Sequence, residues 1–261
     1  GTKEEVAASQ KQVRLAVVVV GDDPVVRKFI NEKKKAAAVV GIDLRVYNFD
    51  AAISTNDLRK RIAEIVHEKK NTGVIIQLPL PPQINKQYIL NAIPPEKDAD
   101  VLSARSIGNF AVGKSPVMPP VAGAIKALFE EYKIDYTGKI VAVIGAGNLV
   151  GRPALLWLAQ EGATLTLITE KTVNPERLLM QADIIISGVG KRALVTGDKV
   201  KDGAVVIDAG TSESSGEIVG DVDFESVSVK ASYITPVPGG VGPLTVAILF
   251  KNLVTLAKAK I

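Results

Sequence analysis

The chain has 261 residues, 47% of them hydrophobic and 23% charged, with a formal charge of +4. That length carries one large domain or two smaller ones with a real core. With no cysteine, thiolate nucleophiles and cysteine-ligated zinc are excluded. The single histidine, His67, stands among charged residues late in a helical pattern and reads as a surface residue, so histidine triads and metal clusters are not expected. The basic residues are scattered among acids without a stripe of interleaved aromatics, so no nucleic-acid partner is expected. No metal site is expected either, and the chemistry falls to Lys, Asp, Glu, Tyr, Gln, Ser, Thr or a bound cofactor. No apolar run of membrane-spanning length and no signal-peptide pattern is read, and the start at Gly1 reads as trimmed. A cytoplasmic protein without a membrane partner is the expectation.

In chain order, "RLAVVVV" at 14–20 is apolar and β-branched and reads as a buried strand, punctuated by "GDDP". A helix follows from about Val25 to Val40 and stops at Gly41. It carries Lys28, Lys33, Lys34 and Lys35, and a lysine run on a helix ordinarily marks a solvated face. "DLRVYNF" is a second strand. "STNDLRKRIAEIVHEKK" is a helix capped by Ser54 or Thr55, with His67 on its surface. "GVIIQLPLP" is a third strand running into prolines. This alternation predicts parallel pairing with helices on the faces. Residues 81–120 hold seven prolines and read as a connector between units.

After a helix from about Val121 to Tyr132 the alternation restarts with "KIVAVIGAG", "LVGRPALLWLAQEG", "TLTLITE", "ERLLMQ", "ADIIISGVG" and "DGAVVIDAG". In this second unit a strand ends at Ile144, glycines stand at 145, 147 and 151, and a helix begins. Such glycines let the backbone turn sharply and approach a pyrophosphate, and the helix N-terminus presents N–H groups and a positive dipole end. Glu170 lies 19 residues after Gly151, at the end of the next strand. An acid there hydrogen-bonds ribose hydroxyls and repels a 2′-phosphate, and no arginine stands in the turn, so the reading leans to NAD over NADP, with Lys171 as a partial counterweight. "PVPGGVGPLT" at 236–245 packs three prolines and three glycines into ten residues and reads as a rigid substrate or cofactor loop. A last helix, about 244–259, is expected to pack back on the first unit.

Together these stretches resemble one family, the bifunctional methylenetetrahydrofolate dehydrogenase/methenyltetrahydrofolate cyclohydrolase enzymes. The resemblance rests on "VGDDP" at 20–24, "KKKAAAVVGI" at 33–42, "IIQLPLP" at 75–81, "KDAD" at 97–100, "NLVGRP" at 148–153, "ADIIISGVGK" at 182–191, "GAVVIDAG" at 203–210 and "TPVPGGVGPLT" at 235–245. It implies two α/β domains around a cleft, residues 1–118 plus 240–261 and residues 119–239, the second a Rossmann-like parallel-sheet dinucleotide-binding domain. It implies a catalytic lysine at Lys33, its glutamine at Gln77 and a folate-binding aspartate at Asp100. Phe29, Pro238, Gly239 and Gly240 would touch substrate, and Gly145, Ala146, Gly147, Val150, Gly151, Glu170 and Thr211 the cofactor. The implied cofactor is NAD(P), with NADP the family default and tetrahydrofolate the substrate carrier. A homodimer is implied too, and an edge strand such as "TLTLITE" or "AVVIDAG" is offered for it.

The sequence departs from the family at the site. Phe29 replaces the usual tyrosine four residues before the lysine, so the ring stays and the hydroxyl is lost. Val26 replaces a serine, Val101 the glycine after the aspartate, Val121 a threonine beside the nicotinamide, and Ala146-Gly147 the Arg-Ser of the phosphate turn. A dehydrogenase with weak or lost cyclohydrolase activity, or a non-catalytic dinucleotide-binding paralogue, is therefore the alternative to the complete bifunctional enzyme.

Overall fold

The computed structural model describes residue 4 and residues 12–214 and 217–259. The chain forms two compact units, residues 1–120 with 246–261 and residues 121–245.

The first unit is built on a three-stranded parallel sheet in the order β2-β1-β3. β1 (Arg14–Val20) is buried along its whole length, as an apolar, β-branched central strand must be. It is flanked by β2 (Asp43–Phe49) and β3 (Gly73–Ile76). Helix α1 (Pro24–Val40) starts where the Asp23 side chain accepts from the Val25 and Val26 N–H groups and Pro24 presets the first turn. It ends at Gly41, whose φ of 80° closes the C-terminus. Helix α2 (Thr55–His67) is capped by Ser54 and ends at His67, which is exposed.

Three expectations are corrected here. β3 stops at Ile76 rather than running on to the prolines, since Pro79 has no N–H to give a ladder. Residues 81–120 are no mere connector. They hold α3 (Lys86–Leu90) and α4 (Ala104–Ala111), and Ile84, Ile89, Leu90, Ile93 and Leu102 join Val18, Leu58 and Ile62 in one buried cluster. The last helix, α9 (Val241–Lys258), starts three residues early and is long and apolar enough to cross a membrane by length and composition, with a mean hydropathy of 1.3. It is nonetheless a core element of the first unit. Leu253 closes on Gly73, and the buried Asn252 amide donates to the carbonyls of Ala99 and Met118.

The second unit opens with α5 (Pro120–Glu131) and is built on a five-stranded parallel sheet. Its strands are β4 (Ile140–Ile144), β5 (Thr164–Ile168), β6 (Ile184–Ser187), β7 (Val205–Asp208) and the short β10 (Tyr233–Ile234). Their order is β10-β7-β6-β4-β5. Helices α6 (Gly151–Gln160), α7 (Pro175–Leu179) and α8 (Phe224–Ser228) accompany them, with a small antiparallel hairpin of β8 (Ser212–Ser214) and β9 (Glu217–Val219). "AVVIDAG" lies on β7, between β10 and β6, so its backbone groups are already paired and it offers no free edge. β5 does stand at the edge, with Leu167 42% exposed. The hairpin and β10 are too short to show in the periodicity of the sequence.

The sheet order reverses at β4, whose sequence successors β5 and β6 lie on opposite sides of it. In open parallel sheets the crevice at the carboxyl ends of such strands is where ligands bind.

Candidate active site

In the first unit, helix α1 brings Lys33 to Gln77, 44 residues away in sequence. The Lys33 ammonium donates to Gln77 Oε1 at 2.9 Å, and Gln77 Nε2 donates to the Leu78 carbonyl at 2.9 Å, which fixes the amide's orientation. The Gln77 end of this contact is held by β1: the Gln77 N–H bonds the Val18 carbonyl just beyond the last β3 pair. Of the four lysines on α1, Lys33 alone is half-buried; Lys28, Lys34 and Lys35 are exposed. Burial lowers the Lys33 pKa below that of an ordinary lysine, and the Asp100 charge partly offsets this. Asp100 is pushed up to about 6 by burial, with Lys33 pulling it down and Asp98 pushing it up. Burial thus disfavours the charge on both groups, lowering the lysine and raising the carboxyl, while their mutual attraction partly offsets each shift.

The loop that presents Asp100 is held from beneath by Asp98, a residue the sequence reading quoted in "KDAD" without assigning it a part. Asp98 is buried, and its carboxylate accepts from the Leu102 N–H at 3.3 Å and the Ser103 N–H at 2.9 Å. Between them Val101 is fully buried at a φ of 56°. A β-branched residue in the left-handed region is strained. The turn keeps the shape that suits glycine, although this chain places valine there. Phe29 lies one turn before Lys33 on α1, 37% exposed, with its ring available beside the lysine's face of the helix.

In the second unit the strand-turn-helix of β4 and α6 carries the glycines. Gly145 has a φ of 92°, and a Cβ on Gly151 would sit 1.8 Å from the Gly145 carbonyl oxygen, so the helix start and the turn touch backbone to backbone. Gly147 is exposed with open space where its Cβ would be. Val150 stands at the N-cap of α6 and supplies no side-chain cap; the Arg152 N–H closes back on the Gly147 carbonyl at 3.0 Å and Pro153 has no N–H, so the turn itself satisfies part of the helix start. This is a cradle that fits the pyrophosphate of a dinucleotide. Ala146 lies in the turn, Glu170 is exposed two residues beyond β5, and Thr211 is exposed three residues beyond β7. Val189, which the sequence reading did not single out, faces the turn: a Cβ on Gly145 would be 3.0 Å from the Val189 side chain. The signal for it was its place just beyond the end of a strand next to β4.

The loop 235–240 begins at Thr235, whose hydroxyl accepts from the Asp208 N–H at 2.8 Å. Pro238 and Gly239 are exposed. Gly240 is confined, since its Cβ would lie 2.5 Å from the Pro236 carbonyl oxygen. Among the described residues there is no group of three or more His, Cys, Asp or Glu able to hold a metal ion.

Two family profiles match the chain. The catalytic domain of tetrahydrofolate dehydrogenase/cyclohydrolase matches residues 1–100, and the NAD(P)-binding domain of the same enzymes matches residues 119–261. The bifunctional protein FolD of Lactobacillus delbrueckii subsp. bulgaricus is 41% identical over 245 residues, covering 94% of this chain and 87% of the relative. That of Nautilia profundicola is 44% identical, with coverages of 94% and 86%. The crystal structure of the bifunctional enzyme FolD from Campylobacter jejuni superposes with a TM-score of 0.95 at 40% identity, covering all of this chain and 94% of that one. The Trypanosoma brucei dehydrogenase-cyclohydrolase, solved with NADP cofactor and inhibitor, gives 0.94 at 33% identity, with coverages of 99% and 93%.

Proposed function

The chain belongs to the tetrahydrofolate dehydrogenase/cyclohydrolase family, and from that premise we propose that Lys33, Gln77 and Asp100 are its catalytic trio. The protein is a bifunctional enzyme of one-carbon folate metabolism that uses NAD(P). It oxidises 5,10-methylenetetrahydrofolate to the methenyl cation and hydrolyses that cation to 10-formyltetrahydrofolate. The observation that carries the residue assignment is the Lys33–Gln77 hydrogen bond of 2.9 Å beside the raised carboxyl of Asp100.

The turn 145–151 holds NAD(P), which supplies a hydride acceptor when bound. Asp100 accepts from the donor-rich edge of the pterin, and the Phe29 ring packs against its face. In the hydrolysis, water adds to the methenyl carbon, which raises a proton-transfer problem: the attacking oxygen must lose a proton and the departing ring nitrogen must gain one. Lys33, with its pKa lowered by burial, moves that proton, and Gln77 holds the ammonium in line by accepting from it. Phe29 has no hydroxyl to share in the relay, so Lys33 carries it.

The finer cofactor choice follows from two residues. Glu170 stands exposed past β5, and Ala146 occupies the turn position where a 2′-phosphate would seek an arginine. The preferred dinucleotide is therefore NAD. The protein is a cytoplasmic homodimer, and the free edge of β5 is the strand suited to pairing. The test is to follow reduced nicotinamide and the methenyl chromophore together with NAD or NADP. Reduced cofactor without lasting methenyl absorbance, and faster with NAD, is the expected result. Accumulating methenyl would refute the assignment of a working hydrolysis relay to Lys33, and a preference for NADP would refute the Glu170 argument.

A further inference from the structure

Behind the carboxyl ends of β6 and β7 lie two carboxylates with no part in the chemistry above. Asp221 is fully buried and Asp208 is 3% exposed. A buried carboxylate is costly unless its oxygens are supplied with donors, and both are. Asp221 accepts from the Ser187 hydroxyl at 2.6 Å, the Val189 N–H at 2.7 Å and the Lys191 N–H at 2.8 Å. Asp208 accepts from the N–H groups of Gly210 at 2.9 Å, Asp221 at 3.1 Å and Val222 at 2.9 Å. The chain makes room for both. A Cβ on Gly210 would sit 2.2 Å from the Asp221 carboxyl, and one on Gly220 would sit 2.0 Å from Asp208 Oδ2.

What these bonds restrain is loop, not regular structure. β6 ends at Ser187, the Gly188 N–H still donates to the Ile144 carbonyl at 3.3 Å, and beyond it 189–191 have no ladder to hold them. Yet this loop forms one wall of the crevice where the sheet order reverses. The Val189 side chain lies against Gly145, and a Cβ on Gly188 would strike the Val150 side chain at 2.4 Å. Thr211 packs on the same loop, its carbonyl oxygen 3.1 Å from where a Cβ on Gly190 would be. Asp221 reaches this wall through two backbone N–H groups two residues apart, a bidentate grip that sets the loop's height above the phosphate turn.

We infer that Asp221, seated by Asp208, is a positioning residue for the dinucleotide: it holds the 188–191 loop against the 145–151 turn. The inference rests on the assignment of that turn to NAD(P). Charge-assisted bonds to backbone N–H are the strong kind and cost little reorganisation, so the loop is preformed and binding does not have to order it. Asparagine at 221 keeps the shape but turns one oxygen into a donor, which leaves a buried backbone N–H facing a second N–H.

The test is a fluorescence titration of wild type, Asp221→Asn and Ser187→Ala with NADH and NADPH, alongside dehydrogenase kinetics. For Asp221→Asn the Kd and the dinucleotide KM are expected to rise about tenfold, while kcat at saturating dinucleotide stays within about twofold. For Ser187→Ala, which removes one donor and leaves the carboxylate, the rise is expected to be about two- to fivefold. A purely structural role would lower the number of binding sites and kcat together and leave Kd where it was, and that result overturns the inference. Should Asp221→Asn fail to fold, an unchanged Kd in Ser187→Ala overturns it equally. Wild type that binds neither nucleotide would instead overturn the assignment of the turn, and this inference with it.

Discussion

Replacing Asp100 by asparagine separates what this carboxyl costs the fold from what it gives the reaction. An ordinary aspartate titrates near 3.8, and Asp100 is pushed up to about 6, chiefly by burial and despite the pull of Lys33. At about 1.4 kcal/mol per pH unit, the charged carboxylate costs the folded state about 2–3 kcal/mol at neutral pH. The attraction to Lys33 is already inside that figure, so the amide is not charged twice for losing it. The sign follows from linkage. A group whose pKa is raised on folding contributes stability that is present below the unfolded value and is lost as pH rises through the folded value. The wild type therefore gives up stability between about pH 4 and about pH 6, and Asp100→Asn does not. Urea unfolding at about pH 7.5 should show the variant more stable by about 2–3 kcal/mol with an unchanged m value, and the gain should vanish near pH 4. The same substitution should lower kcat/KM for the folate by about ten- to a hundredfold, the worth of a charge-assisted hydrogen bond. A variant less stable than wild type at neutral pH, or equally stabilised at both pH values, would refute the reasoning that burial of this carboxyl is what raises it.

Two further substitutions probe the two units separately. Lys33→Met should reduce cyclohydrolase turnover by at least about a hundredfold, as expected for loss of a general acid-base group. It also removes the charge that holds Asp100 down, so the pH limb of folate KM should move above about 6. Turnover that survives, or a limb that stays put, counts against the pairing of the two groups. Gly151→Ala drives a methyl into the Gly145 carbonyl, 1.8 Å away. Because backbone and not a side chain must yield, it should destabilise the second unit by about 1–3 kcal/mol and weaken dinucleotide binding. Calorimetry and titration would show this, and an unperturbed Kd would mean that the turn does not cradle the pyrophosphate.

The α/β character and the strand-turn-helix of β4 and α6 were legible in the chain because both are local. The apolar, β-branched run "RLAVVVV" makes a buried central strand, and glycines at 145, 147 and 151 between an apolar run and a helix suit a tight strand-to-helix turn. Composition alone excluded thiolate chemistry, and the charged neighbours of His67 set histidine chemistry aside. The choice of the lysine proposed as catalytic was different. Periodicity leaves Lys28, Lys33, Lys34 and Lys35 alike, and the resemblance, not the pattern, chose among them. In the fold Lys33 is distinguished because β1, β2 and β3 pair in the order that carries Gln77 to it across 44 residues. Tertiary structure likewise put "AVVIDAG" in the middle of the second sheet and drew residues such as Ile84, Ile89 and Leu102 into the core of the first unit, while the buried Asp98 carboxylate holds the left-handed turn at Val101. The pairing of Asp208 with Asp221 had no local signature: Asp208 closes the apolar run of β7, but Asp221 stands on a loop that looks solvated in sequence, and only the stacking of loops over the strand ends takes its water away and supplies N–H groups instead. Local preference sets which elements form, whereas desolvation and the meeting of side chains depend on how those elements are ordered in the sheet, and that ordering belongs to the tertiary structure.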